Sequence, residues 1–410
     1  MRILYLTQWF EPEPAFKGLA FARAMVARGH QVEVATAFPN YPSGKLYPGY
    51  RLRPYQRELM DEIVVHRLFV WPSHDRSAIG RVLNYISFWL SSLVFGLLRA
   101  GRYDVVYVYH PPITPAVAAA LFGRLRRRPF VMEVQDLWPD SVASSGMVSG
   151  SGGRLIRILD ALCRFAYRSA AAVIAQSEGM RKQLEERGVP AGKLERIYNW
   201  STYEQGGDPA GGAVRADFTG KVNFVYGGNL GQAQALHTVI DAVALAARER
   251  TDLHLHLFGE GIEQDRLMAH AAEKNIESHV TFHGPVPRRT MDRVFDQADV
   301  LVLNLKDDPL YEVTIPSKTQ HYLSCGKPIV AGLSGEAADI LRASGAAIVA
   351  APGDAPAMAA ALVSMARAGE AERAALGRHG RAFYEAHLSF APAIDRTLAI
   401  ICRAASFQSR

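Results

Sequence analysis

The residues best suited to chemistry in this chain lie at a turn that ends in a lysine. Residues 311–330, YEVTIPSKTQHYLSCGKPIV, read as a strand end, a proline-initiated helix start and a second apolar strand. Pro316 has its φ preset for a first helical turn and needs no hydrogen-bonded N–H, and Ser317 is suited to cap the free amides. Those amides and the aligned peptide dipoles attract an anion, and Lys318 adds a mobile ammonium beside them. A second anion-binding candidate is residues 225–231, VYGGNLG, where an apolar strand runs into three glycines and then a helical pattern over 232–248. Glycine lets backbone amides approach a ligand closely. Either stretch alone is also explained as a tight turn; the pair, in one repeating β/α segment, reads as a phosphate site. In the first half, His110 ends the apolar run DVVYVYH, and Asp136 lies in VQDLWPD. An imidazole there can donate a hydrogen bond or carry charge near neutral pH, or serve only as a structural hydrogen bonder. The carboxylate can position or deprotonate a hydroxyl, or cap the next turn. Glu11 and Glu13, after the first strand and near Gly18, can contact a polar ligand or be surface carboxylates.

The elements that must position these groups alternate between strand and helix patterns. Strands are expected over 3–6, 31–36, 64–67, 104–109, 130–134 and 172–175, and again over 223–226, 253–258, 280–282, 300–305, 328–331 and 347–350. A helix over 20–28 ends at Gly29, where a C-terminal glycine belongs. Continuous apolar strands separated by helices imply parallel sheets covered on both faces. Residues 201–221 are rich in Gly, Pro and charge without periodicity and read as a linker. The organisation expected is an N-terminal domain over 1–200, that linker, a second domain over 222–382, and a last helix within 383–410 that returns to the first. Two doubly wound domains so joined leave an interdomain cleft at the carboxyl ends of both sheets, where ligands bind in such folds.

Composition agrees. The 410 residues suit two domains of about 200 each. A chain that is 49% hydrophobic and 21% charged is globular and not disordered. Cys163, Cys325 and Cys402 have no metal-ligand spacing, which argues for a reducing compartment and against a zinc site or disulfide frame. The first ten residues, MRILYLTQWF, read as a buried strand and not as a signal peptide.

With these motifs in order, the family becomes visible. GGNLGQAQAL, FGEG at 258–261, FHGPV at 282–286 and PSKTQHYLSCGKPIVAGLSGEAADI at 316–340 resemble the nucleotide-sugar half of glycosyltransferase family 4. WFEPEPAFKG, RGHQVEVATAFPNYPSGKLYPGY and EVQDLWPDSVASSGM resemble its acceptor half. The resemblance covers nearly the whole chain and is nearest to the subgroup that adds N-acetylated amino sugars, often fucosamine, in O-antigen and capsule synthesis. It implies a GT-B fold, α/β with two Rossmann-like domains, and a retaining, metal-independent enzyme without a cofactor. It implies catalytic roles for His110, Asp136 and Lys318. It implies donor contacts at Gly18, Gly228, Asn229, Gln234, Gly259, Gly261, Val286, Glu312, Thr314, Ser317, Thr319 and His321. Two departures stand out. Many members carry Arg and Lys where this chain has Asn229 and Gln234, and the family's glutamate pair falls on Val313 and His321, with Glu312 one position away.

Charge is uneven: residues 1–200 hold 26 Lys plus Arg against 16 Asp plus Glu, and the remainder 20 against 24. No aromatic-basic platform accompanies the arginines, so nucleic acid is not the expected partner. Residues 81–102, RVLNYISFWLSSLVFGLLRAGR, are apolar, bracketed by arginines, and carry Tyr85, Phe88, Trp89 and Phe95; an interfacial helix on an anionic membrane and a core helix are both open. The function expected from all this is transfer of a sugar from a UDP-sugar to a lipid-linked glycan, on the inner face of the cytoplasmic membrane. A UDP-N-acetylglucosamine 2-epimerase-like enzyme and a non-catalytic nucleotide-sugar-binding membrane subunit are the alternatives.

Overall fold

The computed structural model describes residues 1–73, 78–110, 112–140, 153–202 and 218–406. The chain divides into two compact units, Met1–Ile197 with Ile394–Arg410, and Tyr198–Ala393. Most of the linker expected over 201–221 lies outside the described residues, as do Pro111 and the end of the EVQDLWPDSVASSGM motif.

The first unit carries β1 (Arg2–Leu6), α1 (Leu19–Ala27), β2 (Gln31–Ala37), β3 (Tyr55–Met60), β4 (Ile63–Leu68), α2 (Ala78–Arg99), β5 (Val105–His110), α3 (Thr114–Arg126), β6 (Phe130–Val134), α4 (Gly153–Ser169), β7 (Ala172–Ala175), α5 (Glu178–Glu186) and β8 (Leu194–Arg196). Its sheet runs β3-β4-β2-β1-β5-β6-β7-β8, parallel except for β3 against β4. Every residue of β5 and β6 is buried, because helices cover both faces. β3 was not expected: YQRELM has no apolar run, and it forms an edge hairpin through Asp61 and Glu62, both at positive φ. α2 packs on α3 at close range, for a Cβ on Gly96 would fall 2.1 Å from the Phe122 ring. Phe88 and Phe95 of α2 are buried in the core, whereas Val82, Leu83, Ile86, Leu90, Val94 and Leu98 face solvent. The helix therefore has a core face and a free apolar face, and all four of its aromatics serve the former, Phe88 and Phe95 fully and Tyr85 and Trp89 half-buried against the same cluster.

The second unit carries β9 (Val222–Gly227), α6 (Leu236–Ala246), β10 (Leu253–Phe258), α7 (Gln264–Glu273), β11 (Val280–Gly284), α8 (Arg288–Gln297), β12 (Val300–Asn304), α9 (Pro309–Val313), α10 (Ser317–Cys325), β13 (Ile329–Gly332), α11 (Gly335–Ala343), β14 (Ala347–Ala350), α12 (Ala355–Arg367) and α13 (Glu370–His387). Its parallel sheet has the order β11-β10-β9-β12-β13-β14, a doubly wound Rossmann arrangement. The helix expected over 232–248 is interrupted: Gln232–Gln234 form a 3-10 turn and Ala235 sits at φ 43° before α6 begins. The last helical pattern is likewise two helices, α13 and α14 (Phe390–Ser406), broken where Leu388 turns into the core. From Ile394 onward α14 belongs to the first unit, where Asp395 pairs with Arg28 at 2.5 Å.

Candidate functional site

In the second unit β9 and β12 are neighbours, and the chain leaves them toward opposite ends of the sheet. Such a switch point opens a crevice beyond the carboxyl ends of the strands. The loop after β9 and the start of α10 after β12 meet there. Lys318 Nζ donates to Tyr226 Oη at 2.5 Å and lies 4.0 Å from the centre of that ring, while Tyr226 Oη donates to the Asn229 carbonyl at 2.7 Å. Among the described residues no carboxylate pairs with Lys318, and burial lowers its pKa to about 7. Gly228, at φ 140°, makes room for it: a Cβ there would fall 2.6 Å from Lys318 Cε.

The glycines do different work from that expected. Gly227 N donates to Tyr322 Oη at 3.2 Å, Gly228 N to the Phe258 carbonyl at 2.8 Å, Leu230 N to the Glu260 carbonyl at 2.9 Å and Gly231 N to Gln234 Oε1 at 3.2 Å. Only the Asn229 amide has no protein partner among these. A Cβ on Gly259 would lie 1.8 Å from the Gly228 carbonyl oxygen, and one on Gly261 2.3 Å from that of Leu230. Glycine is thus required so that two strand-end loops can nest, and the cradle's charge comes from Lys318. Asn229 Nδ2 donates to Gln234 Oε1 at 3.4 Å, so the two neutral residues at the family's Arg and Lys positions bond to each other.

At α10, Pro316 precedes the helix with ψ 136° and Ser317 is its first residue. Ser317 makes no side-chain cap, contrary to expectation; Thr319 N donates to the Pro316 carbonyl at 2.9 Å, while the Ser317 and Lys318 amides have no partner among the described residues and keep their attraction for an anion. Thr319 Oγ1 is buried without a partner. His321 lies one turn on, with Nε2 3.3 Å from Asp292 Oδ1 and Nδ1 3.2 Å from Ser201 Oγ. Glu312 is exposed on α9, the Thr314 hydroxyl donates to the Leu310 carbonyl at 2.9 Å, and Val286 packs half-buried against the core. Tyr226 escaped sequence reasoning, since strand alternation signals its burial but not the direction of its hydroxyl.

In the first unit β1 and β5 are the adjacent strands at the reversal of order. His110 ends β5 opposite Val134 of β6, and Asp136 is exposed two residues beyond β6. His110 is fully buried, neither ring nitrogen has a partner among the described residues, and the Trp138 ring meets it edge-on at 5.9 Å. Burial lowers its pKa to about 3, which favours the neutral imidazole in the ligand-free chain. Glu11 Oε1 accepts from Leu19 N at 2.8 Å at the start of α1, and Gly18 is small because a Cβ there would fall 2.0 Å from that oxygen. Glu13 is not a surface carboxylate. It is buried and accepts from the amides of Phe10, Asn40 and Tyr41 at 3.2, 2.6 and 2.7 Å; burial nevertheless pushes its pKa to about 7. Beneath the same loop, Lys17 and Glu133 form a buried pair at 2.5 Å, with Tyr107 Oη also donating to Glu133. Burial lowers the Lys17 pKa and its partner opposes this. Neither residue carried a sequence signal.

Two doubly wound sheets, the second presenting an uncompensated lysine and helix-start amides at its switch point, have the plan of a GT-B glycosyltransferase. Residues 19–200 match the glycosyl transferase 4-like domain and residues 221–368 match the glycosyl transferases group 1 domain; the chain belongs to this glycosyltransferase family. It is 28% identical over 264 residues to the putative colanic acid biosynthesis glycosyl transferase WcaI of Escherichia coli, covering 62% of this chain and 64% of the relative. It is 24% identical to the probable glycosyltransferase WbjE of Pseudomonas aeruginosa, covering 57% and 58%. The chain thus spans somewhat less than two thirds of either curated relative. Among solved structures, Anabaena Alr3699/HepE in complex with UDP superposes with TM-score 0.68 at 17% identity, over 98% of this chain and 100% of that one. The apo lipopolysaccharide outer core galactosyltransferase WaaB superposes at 0.61 with 14% identity, over 98% and 99%.

Proposed function

We propose that this glycosyltransferase moves an N-acetylated amino sugar from UDP to a lipid-linked glycan, with retention of configuration and without a metal, at the inner face of the cytoplasmic membrane in O-antigen or capsule synthesis. The observation that carries the reading is the Lys318 ammonium, held at the switch point with no carboxylate to balance it among the described residues. The UDP found in HepE and the polysaccharide role in the name of WcaI support it.

As the anomeric C–O bond to the diphosphate breaks, negative charge grows on the leaving oxygens. Lys318 and the first-turn amides of α10 stabilise that charge. The acceptor hydroxyl attacks the same face and forms the new glycosidic bond, and its proton passes to the departing diphosphate. No enzyme nucleophile is needed. His110, neutral and unpartnered, hydrogen-bonds the reacting sugar or diphosphate, and Asp136 positions the acceptor hydroxyl.

A thermal-shift screen of nucleotides and nucleotide sugars tests the donor, because selective binding to the folded state raises its stability. UDP and a UDP-linked amino sugar are expected to stabilise the chain above other nucleotides. Equal shifts for every nucleoside diphosphate would overturn the donor assignment. UDP release from UDP-N-acetylglucosamine with no acceptor, together with a free epimerised sugar, would assign the site to a hydrolysing epimerase instead.

A further inference from the structure

The free face of α2 is not used by the transfer chemistry. Val82, Ile86, Leu90, Val94 and Leu98 recur every four residues and so form one row along the helix, with Leu90 53% and Leu98 74% exposed. The opposite face holds Phe88, Ser92 and Phe95 in the core. Asn84 fixes the helix further, accepting from Gln8 Nε2 at 2.7 Å and donating to the Trp71 carbonyl at 2.8 Å. A helix clamped in this way presents a side to an apolar phase and does not leave the fold to span it.

Beside the row runs a groove of about 520 Å³ between α2 and the β3–β4 hairpin, walled by Tyr55, Leu68, Phe69, Leu90 and Val94 and reaching Arg99. The Arg99 guanidinium lies 5.7 Å from the centre of the Tyr55 ring and 5.9 Å from that of Phe95, and it makes no ion pair among the described residues. From residue 51 to residue 132, which takes in the hairpin as well as α2, the sequence has twelve arginines against five acids. Of those acids Glu58 pairs with Arg67, Asp61 with Arg23 and Asp104 with Arg2. An aliphatic row and groove with unbalanced arginines complement a molecule that has a hydrocarbon chain and an anionic head. A second copy of the chain would bring the same arginines against each other, so charge disfavours it as the occupant.

We propose that this face docks on an anionic phospholipid leaflet, with one acyl chain in the groove and its phosphate on Arg99. The proposal rests on the membrane-facing acceptor inferred above and names the surface that meets the membrane. Aliphatic insertion gives attachment that salt weakens only in part, whereas an arginine-only contact is screened away.

The test is flotation of the full chain with vesicles of phosphatidylcholine plus phosphatidylglycerol, and of phosphatidylcholine alone, at low and high salt. The parent is expected to float with the mixed vesicles, and several-fold less with phosphatidylcholine alone. A Leu90→Ser, Val94→Ser, Leu98→Ser variant is expected to float about tenfold less, since the lost insertion is apolar. Arg99→Gln is expected to lose the preference for the anionic lipid. Should the triple variant fail to fold, Ile86→Ser with Leu98→Ser replaces it. Equal flotation by parent and folded variant overturns the proposal, as does no flotation by the parent, or a parent dimer in solution that the variant dissolves. UDP binding, measured in each protein, separates the two readings: loss of flotation with UDP binding intact concerns this surface, and a parent that does not bind UDP fails the donor assignment alone.

Discussion

The Lys318 ammonium lies over the Tyr226 ring, 4.0 Å from its centre, and donates to the same residue's hydroxyl at 2.5 Å. The phenol passes the connection to the Asn229 carbonyl, so strand β9, the glycine loop and the start of α10 form one hydrogen-bonded chain. A π face and a phenol oxygen partly compensate the buried ammonium, but neither is an anion. Among the described residues no carboxylate balances the ammonium, so the site favours a negatively charged ligand.

This fixes the pH dependence of nucleotide binding. Burial holds free Lys318 at about 7, and a bound diphosphate favours its charged form and raises its pKa in the complex. Binding therefore takes up a proton. UDP affinity is expected to fall as pH rises through 7, by at most about tenfold per unit, until the pKa of the complex is reached. Calorimetry from pH 6.5 to 8.5, in buffers of different ionisation enthalpy, measures both the affinity and the proton uptake. A flat affinity without uptake would put the lysine away from the phosphates.

Removal of the ammonium is the direct test. Lys318→Ala is expected to weaken UDP binding by on the order of 1.5 to 3 kcal/mol, the usual range for a charge-assisted hydrogen bond. Tyr226→Phe keeps the ring but removes the hydroxyl bridge, and its cost is expected to be smaller, about 0.5 to 1.5 kcal/mol. If Tyr226→Phe costs as much as Lys318→Ala, the hydroxyl contacts the nucleotide itself.

Much of this was legible in the sequence. β12 is an apolar run up to Asn304, and β9 and β10 are buried along their whole length although they carry Asn223, His254 and His256, because both faces of the sheet are covered; the Pro-Ser-Lys order marks a helix start with a cation beside it. What stayed hidden depends on facing. Period-3.6 patterning says that α2 is apolar but not which row turns inward, and the aromatics that suggested a membrane contact, Phe88 and Phe95, turned into the core. Glu13, Lys17 and Glu133 read as ordinary charges until the fold buries them together. The glycines of residues 227–231 also have steric reasons that the sequence does not display: a Cβ on Gly227 would meet Met291 and Phe295, one on Gly228 the Lys318 side chain, and one on Gly231 Asn229 and Gln234.

His110 makes a kinetic prediction. With its pKa near 3 in the ligand-free chain, no ionisation of His110 should mark the kcat/KM profile, which reports the free enzyme, between pH 5 and 8. His110→Ala is expected to lower turnover on the order of 100-fold, as loss of one transition-state hydrogen bond does, with little change in UDP affinity. Full turnover in a folded His110→Ala enzyme would return the residue to a structural role.

Turnover is expected to continue in excess EDTA. In the proposed mechanism Lys318 and the α10 amides meet the leaving diphosphate directly. Activity lost to chelator and recovered with magnesium or manganese would overturn it.

The last prediction concerns acid stability of the second unit. His254 Nε2 bonds Thr281 Oγ1 at 2.8 Å, and its Nδ1 accepts from Lys221 Nζ at 3.1 Å. His256 Nδ1 and His283 Nε2 approach at 2.9 Å beside it. Burial, reinforced by the Lys221 ammonium, lowers the His254 pKa to about 4, and burial lowers that of His283 as well. A proton on His254 Nδ1 would abolish its acceptor and face an ammonium. The unfolded chain, whose histidines titrate near 6.5, binds these protons more readily than the folded one. Stability from this pair is therefore complete above about 6.5 and declines as pH falls from there toward 4. Glu13 in the first unit, raised to about 7, shifts stability the other way with pH, so the comparison must be between parent and His254→Gln. Urea unfolding at pH 7.5, 5.5 and 4.5 should show a shallower acid loss in the variant. Identical slopes for the two proteins would mean that His254 takes up its proton as easily folded as unfolded.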